Sequence, residues 1–270
     1  MLSPTKLNSG IFKSETAYVK RSTTVSTNVA DFVDEQMNYI LNHRAIEHPF
    51  FNSYARNGLS PEKSKILYLE TRHYFKLLPY YICGIAALLN DDESAQNDIV
   101  RFIAFNARDE LGDNYSHSDM YKDFMYKKGI TKQELQTYCP LPTTIALNEG
   151  IRVLYSTQPV ARALGALYAD ETLSASLVSK YNEGLKSEGL SEEDRYFWTL
   201  HCAWEVGHSN AVFNIVEPYL QTEQDQVAFT EGIDQYLFLM EQYWDGIEQL
   251  LTKKKQLDIK NTTEITVDWK

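Results

Sequence analysis

The stretch His201-Cys202-Ala203-Trp204-Glu205-Val206-Gly207-His208 sets three metal-capable side chains at spacings i, i+4 and i+7. At about 3.6 residues per turn, these offsets fall within roughly 60° of one another, so a helix carries all three on one stripe. An earlier pair, Glu110 and His117, repeats the seven-residue offset. Three of the chain's six histidines stand in these two clusters. Imidazole nitrogen beside carboxylate oxygen suits borderline cations such as Fe(II), Mn(II) and Zn(II). The pattern predicts a metal site inside a helix bundle.

The flanking sequence is helical in period almost throughout. Ala30 to His43 carries Phe32, Val33, Met37, Ile40 and Leu41 on one stripe. Ser60-Pro61 is a start signal, with Ser as N-cap and Pro at the first helical position. The helix it opens should run toward Leu89 with a break near Pro79. Further helices are expected over Asp98 to Leu111 and over Ser118 to Lys128, the latter closed by Gly129. Thr131-Lys-Gln-Glu134 reads as a capping box. Beyond Pro140 and Pro142, one long segment is expected from Thr143 to about Tyr168, then a helix from Ser174 to Lys186. Ser191-Glu-Glu-Asp194 starts the helix of His201, and Glu223 to Lys255 forms a last amphipathic helix. Only Glu264 to Trp269 alternates like a strand. The economical reading is one all-α domain of about seven or eight helices over residues 29–255, with tails at 1–28 and 256–270.

Composition narrows the function. With 270 residues, 43% of them hydrophobic and 23% charged, the chain has the make-up of a globular protein. A formal net charge of −11 speaks against binding nucleic acid or an anionic membrane, which needs basic surface. No apolar run approaches the ~20 residues that span a bilayer. The first 28 residues lack the apolar core of a secretory signal, so a cytoplasmic location is expected. The three cysteines, Cys83, Cys139 and Cys202, form no CxxC pair and are expected to be reduced core thiols. Cys202 and His201 are helix neighbours that point about 100° apart, which disfavours a nucleophile–base pair.

Each candidate also has a plain reading. On a face that includes Trp198, Leu200 and Trp204, the trio His201, Glu205 and His208 would be costly to bury unless paired, but it could equally be a solvated stripe. Asp109-Glu110-Leu-Gly-Asp-Asn-Tyr-Ser-His117 could be an acidic helix end, and Glu171 has little claim alone. Glu70-Thr-Arg-His73 is the ExxH element of ferritin-like carboxylate bundles, which use it twice; here it occurs once. His43 and His48 flank a helix end and suit a cap and a packing contact. Arg72 and Lys76 could face an anionic substrate, although charged surface is the simpler role. Tyr115, Tyr168 and Trp204 could wall a pocket or simply pack.

Taken in order, these segments resemble the haem-oxygenase-like di-iron oxidases and oxygenases, closest in pattern to the chlamydial CADD-type proteins. The resemblance rests on Asp109-Glu110-Leu-Gly112 with His117, Tyr168-Ala-Asp-Glu171, Lys180-Tyr-Asn-Glu-Gly184-Leu185, and the aromatic helix with His201, Glu205 and His208. It covers residues ~100 to 215. It implies a haem-oxygenase-like helical bundle and two irons (Fe2+/Fe3+) held by Glu110, His117, Glu171, His201, Glu205 and His208, with an Mn/Fe mixture as a variant. It further implies O2 and a small organic substrate, amino-acid-derived or a fatty acid, as reactants of an oxidoreductase. Two positions depart from the family. Glu205 stands where many relatives have Asp. Where the p-aminobenzoate synthases of this type sacrifice a Lys, ungapped counting from Glu171 reaches Tyr181, one residue past Lys180. Self-sacrificing p-aminobenzoate formation is therefore the alternative chemistry, and 18 tyrosines permit it. A metal-free helical interaction protein, whose Glu223–Lys255 helix would serve a partner or a homodimer, is the alternative of another class.

Overall fold

The computed structural model describes residues 25–89, 95–202 and 215–263, and every regular element among them is helical. In chain order they are α1 (Val29–Leu41), α2 (Pro49–Asn57), α3 (Pro61–Phe75), α4 (Leu78–Ala86), α5 (Ala95–Leu111), α6 (His117–Lys127), α7 (Lys132–Thr137), α8 (Pro142–Leu154) and α9 (Val160–Ser187). They are followed by α10, described over 196–202, a 3-10 turn at Glu217–Tyr219, and α11 (Glu223–Thr263). No helix among the described residues is long and apolar enough to cross a membrane.

The centre of the fold is α9. Every residue from Ala163 to Asp170 is buried, so this half of the helix is enclosed on all sides rather than amphipathic. Its small residues permit that. A Cβ on Gly232 of α11 would run into the Arg162 carbonyl, so glycine there lets α11 lie directly against α9. Phe229, Ile233, Tyr236, Leu237 and Met240 then fill the core from α11. α2, α1 and α8 close the remaining sides of the pair, and α4 packs on α5.

Most local signals do what their chemistry dictates. Pro79 separates α3 from α4. The capping box at Thr131 and Glu134 is present, with both reciprocal bonds. Ser60 holds the N-cap position of α3, though its hydroxyl makes no capping bond. His48 caps α2 through Nδ1, which accepts from the Phe50 N–H at 3.2 Å, while the His43 ring packs edge-on against Tyr39. Four expectations change. The segment from Thr143 to Tyr168 is two helices, broken around Pro159, and α9 then runs unbroken through the gap expected between Tyr168 and Ser174. α2 was not anticipated, and it adds to a helix total above the expected seven or eight. The last helix continues past Lys255 to Thr263, because no Gly or Pro interrupts residues 252–263. Cys83 and Cys139 are exposed rather than core thiols, since each sits on an outward position of its segment. The alternating stretch at Glu264–Trp269 lies outside the described residues.

Candidate metal centre

α5 ends at Leu111 because Gly112 turns into the left-handed region, φ 58°, where a Cβ would strike the Tyr115 carbonyl. Four residues later Ser116 and Asp119 form a capping box that starts α6 with His117 as its first residue. The seven-residue offset between Glu110 and His117 is thus bridged by a tight turn between two helices, and their side chains meet: Glu110 Oε1 lies 3.1 Å from His117 Nδ1. α10 delivers His201 to the same point, with Nε2 3.2 Å from that Nδ1. One donor atom from each of Glu110, His117 and His201 lies within 4.8 Å of the others. Both imidazoles are buried, and the Glu110 side chain is about one third exposed, 35%.

The protons at this junction decide its chemistry. His201 Nδ1 donates to the Phe197 carbonyl at 2.6 Å, one helical turn earlier. Burial, the main influence, lowers the His201 pKa and keeps the ring neutral, so Nε2 carries a lone pair. That lone pair and the Glu110 carboxylate both face a single ring nitrogen of His117. Three electron-pair donors therefore converge on a point where the one nitrogen of His117 that faces them carries at most one proton. A cation accepts all three pairs at once, and a fixed Nδ1–H···O=C bond is how proteins orient a ligating imidazole. The donor set, nitrogen with carboxylate oxygen, fits iron.

Glu171 sits midway along α9, and Asn106 on α5 donates to its Oε1 at 3.0 Å. With Glu110, Asn106, Asp109 and Asp170 it lines a cavity of about 60 Å³. Glu205, His208 and Trp204 lie outside the described residues. Four of the six expected ligands are therefore placed: three together, and Glu171 across a small gap that Glu110 shares.

A larger cavity of about 290 Å³ opens against the trio. Phe75, Leu78, Pro79, Val178 and Phe197 give it apolar walls, and Lys76, Asp119 and Lys122 give it charge. Its volume lies at the lower end of the ~300–1,000 Å³ usual for small-molecule sites. Tyr115 and Tyr168 take no part in it. Tyr115 is half-exposed and donates to Asp123 at 2.5 Å, and Tyr168 packs on Phe229.

Two features were not foreseen. Asp170, next to Glu171, is buried and receives hydroxyl bonds from Tyr236 (2.5 Å), Tyr155 (2.9 Å) and Tyr74 (3.0 Å). Burial pushes its pKa up, while the three hydroxyls pull it down. The cluster ties α9 to α3, α8 and α11 beside Glu171. Asn106 was the second omission, although it stands four residues before Glu110 on the same face of α5, which is a readable signal. The ExxH element turns out to be structural: Glu70 is fully buried and accepts from the Leu141 N–H and from the Tyr138 and Thr144 hydroxyls, at the start of α8. A second group of possible donors, His48, Asp245 and Glu248, is occupied by the Arg44–Asp245 ion pair at 2.8 Å.

Comparison with known proteins agrees with this chemistry. Residues 73–239 match the model of a family described as iron-containing redox enzymes. The 4-chloro-allylglycine synthase of Streptantibioticus cattleyicolor is 41% identical over 232 residues, covering 86% of this chain and 88% of its own. The 4-aminobenzoate synthase of Chlamydia trachomatis is 24% identical over 199 residues, covering 73% of this chain and 84% of its own. A CADD-like protein of Nostoc punctiforme shares the fold, with a TM-score of 0.68 at 19% identity over 81% of this chain and 96% of its own.

Proposed function

The chain belongs to the family of iron-containing redox enzymes, and from that premise we propose that its O2-dependent oxidation of a small organic substrate runs on two irons held by Glu110, His117, Glu171, His201, Glu205 and His208. The observation that carries this reading is the convergence of Glu110, His117 and His201 around at most one proton. Iron bound there supplies the electrons that O2 needs. Three imidazoles and three carboxylates offset most of the charge of two Fe(II), and an iron–manganese pair is a variant of the same centre.

The chain's own residues set the conditions. Phe197 fixes the His201 ring through its carbonyl, and Asn106 orients the Glu171 carboxylate. Phe75, Leu78, Val178 and Phe197 give the substrate side apolar walls. An amino-acid derivative suits both the small cavity and the product named for the relative from Streptantibioticus.

Self-sacrificing aminobenzoate formation is not favoured. Lys180 bonds to the Ile46 carbonyl at 2.7 Å and to Glu47 at 2.8 Å, on the side facing α2. Tyr181 stacks on Trp198 with ring centroids 3.9 Å apart, in the core. Neither lines the cavity beside the trio. Family membership removes the metal-free reading. The cytoplasmic location, the lack of a nucleic-acid partner, the homodimer and the 29–255 domain bounds stand as part of this proposal, on composition and pattern.

Anaerobic loading with Fe(II), counting iron per chain and then following the visible spectrum and O2 uptake, tests the reading. Two irons per chain that react with O2, and fewer in Glu171→Ala, are expected. An iron-free wild type, or a Glu171→Ala protein that binds as much as the wild type, contradicts it.

A further inference from the structure

Lys76 is the C-cap residue of α3, half-buried, and it lines the same cavity as Glu110, His117 and His201. Cations are favoured at a helix C-terminus by the backbone dipole. That accounts for a charge at this position, and the half-buried side chain lies along the cavity wall. No carboxylate among the described residues holds it there. Its pKa is lowered by burial first and by Arg72 second, and no acid among the described residues acts on it. The cavity's other lysine, Lys122, differs: it is tied to Asp119, its neighbour one turn away.

The surroundings are basic as well. Arg72 lies one turn before Lys76, and its Nε is buried with no acceptor. His73 is pushed down to about 4 by burial, then by Lys76 and Arg72. An ammonium that lines a cavity, with no acid among the described residues to pair with it, is open to an anion that enters there. The same cavity supplies the rest of a recognition site, with apolar walls of Phe75, Leu78 and Val178 and the Glu110–His117–His201 junction.

We infer that Lys76 binds the carboxylate of the substrate, so that this enzyme takes small carboxylic acids whose aliphatic part lies across Phe75, Leu78 and Val178 toward Glu110, His117 and His201. The inference rests on the metal-centre reading, which says where the reacting end must lie. It adds the headgroup and makes Lys76 the residue that sets substrate orientation.

The test is calorimetric titration of the anaerobic, Fe(II)-loaded protein with L-norleucine, hexanoate and L-norleucinamide, for the wild type, Lys76→Gln and Lys76→Arg. A charge-assisted bond is worth roughly ten- to hundredfold in affinity. L-Norleucine is expected to bind the wild type more tightly than its amide by that factor. Lys76→Gln should lose the preference while leaving amide binding unchanged, and Lys76→Arg should restore most of it. Hexanoate separates the sources: binding equal to norleucine assigns simple acids, and weaker binding assigns amino acids, each through the same lysine. No binding of either acid, no preference for acid over amide, or a Lys76→Gln protein that binds norleucine like the wild type overturns the assignment. Iron counted in the same samples separates this outcome from failure of the metal centre, because Lys76→Gln should keep its full iron content.

Discussion

Glu70 and Glu110 both stand in motifs that metal-binding helix bundles use, one in an ExxH element and one seven residues before a histidine, yet the fold treats them oppositely. Glu70 is fully buried and fully satisfied. Leu141, the N-cap of α8, has no side chain able to cap, and the Glu70 carboxylate supplies from α3 what that position lacks. The Tyr138 and Thr144 hydroxyls complete its coordination by hydrogen bonds, and burial raises its pKa against their pull. Glu110 instead meets two imidazoles that share at most one proton with it. The difference teaches that burial and spacing do not identify a ligand. The count of protons among converging acceptors is what supports the ligand role proposed for Glu110. Asp170, with its three tyrosines, falls on the Glu70 side of this division although it adjoins Glu171 in sequence.

The sharpest way to break the comparison is Glu70→Ala. It strands the Leu141 N–H and two hydroxyls at a helix start, and each buried donor left without its acceptor costs about 1–3 kcal/mol. Urea unfolding should show that loss, and the protein that stays folded should hold its full complement of iron. Tyr236→Phe removes one of the three donors to Asp170 and should cost about 1.5–3 kcal/mol in the same assay, again with iron retained. Iron lost from either folded variant places these acids in the centre and erases the distinction.

The smallest effect concerns His73, the other half of the ExxH element. Its folded pKa is about 4, below the ordinary 6.5. The unfolded chain therefore takes up a proton as pH falls through about 6.5, while the folded chain resists until about 4. Stability is unaffected above pH 6.5 and declines between 6.5 and 4. His73→Gln should flatten that part of the urea-midpoint profile between pH 7.5 and 4.5. An unchanged slope means that His73 titrates normally and does not feel Arg72 and Lys76.

Much of this architecture was legible because its signals are local. Pro61, Pro79 and Gly129, and the Thr131–Glu134 box, mark boundaries through the backbone geometry they permit. The α8–α9 boundary was missed even though Pro159 stood in the sequence, because the apolar period continues on both sides of it. The continuity of α9 through Asp170 and Glu171 was missed for a different reason. Two acids inside an apolar helix are tolerated only when distant chain segments satisfy them, and Tyr74, Tyr155, Tyr236 and Asn106 come from four other places. At the site, the pairing of Glu110 with His117 was readable as a spacing, although the spacing works through the Gly112 turn and not through helical period. Lys76 was not readable, since the helix pattern gives a charged C-terminal residue no reason to face a cavity.

The central claim reduces to one measurement: iron per folded chain after anaerobic Fe(II) loading, for the wild type, His201→Ala and Glu70→Ala side by side. The account predicts that His201→Ala remains well folded and loses iron, whereas Glu70→Ala loses stability and keeps it. Full iron in His201→Ala would contradict the assignment of the Glu110–His117–His201 junction as the metal centre.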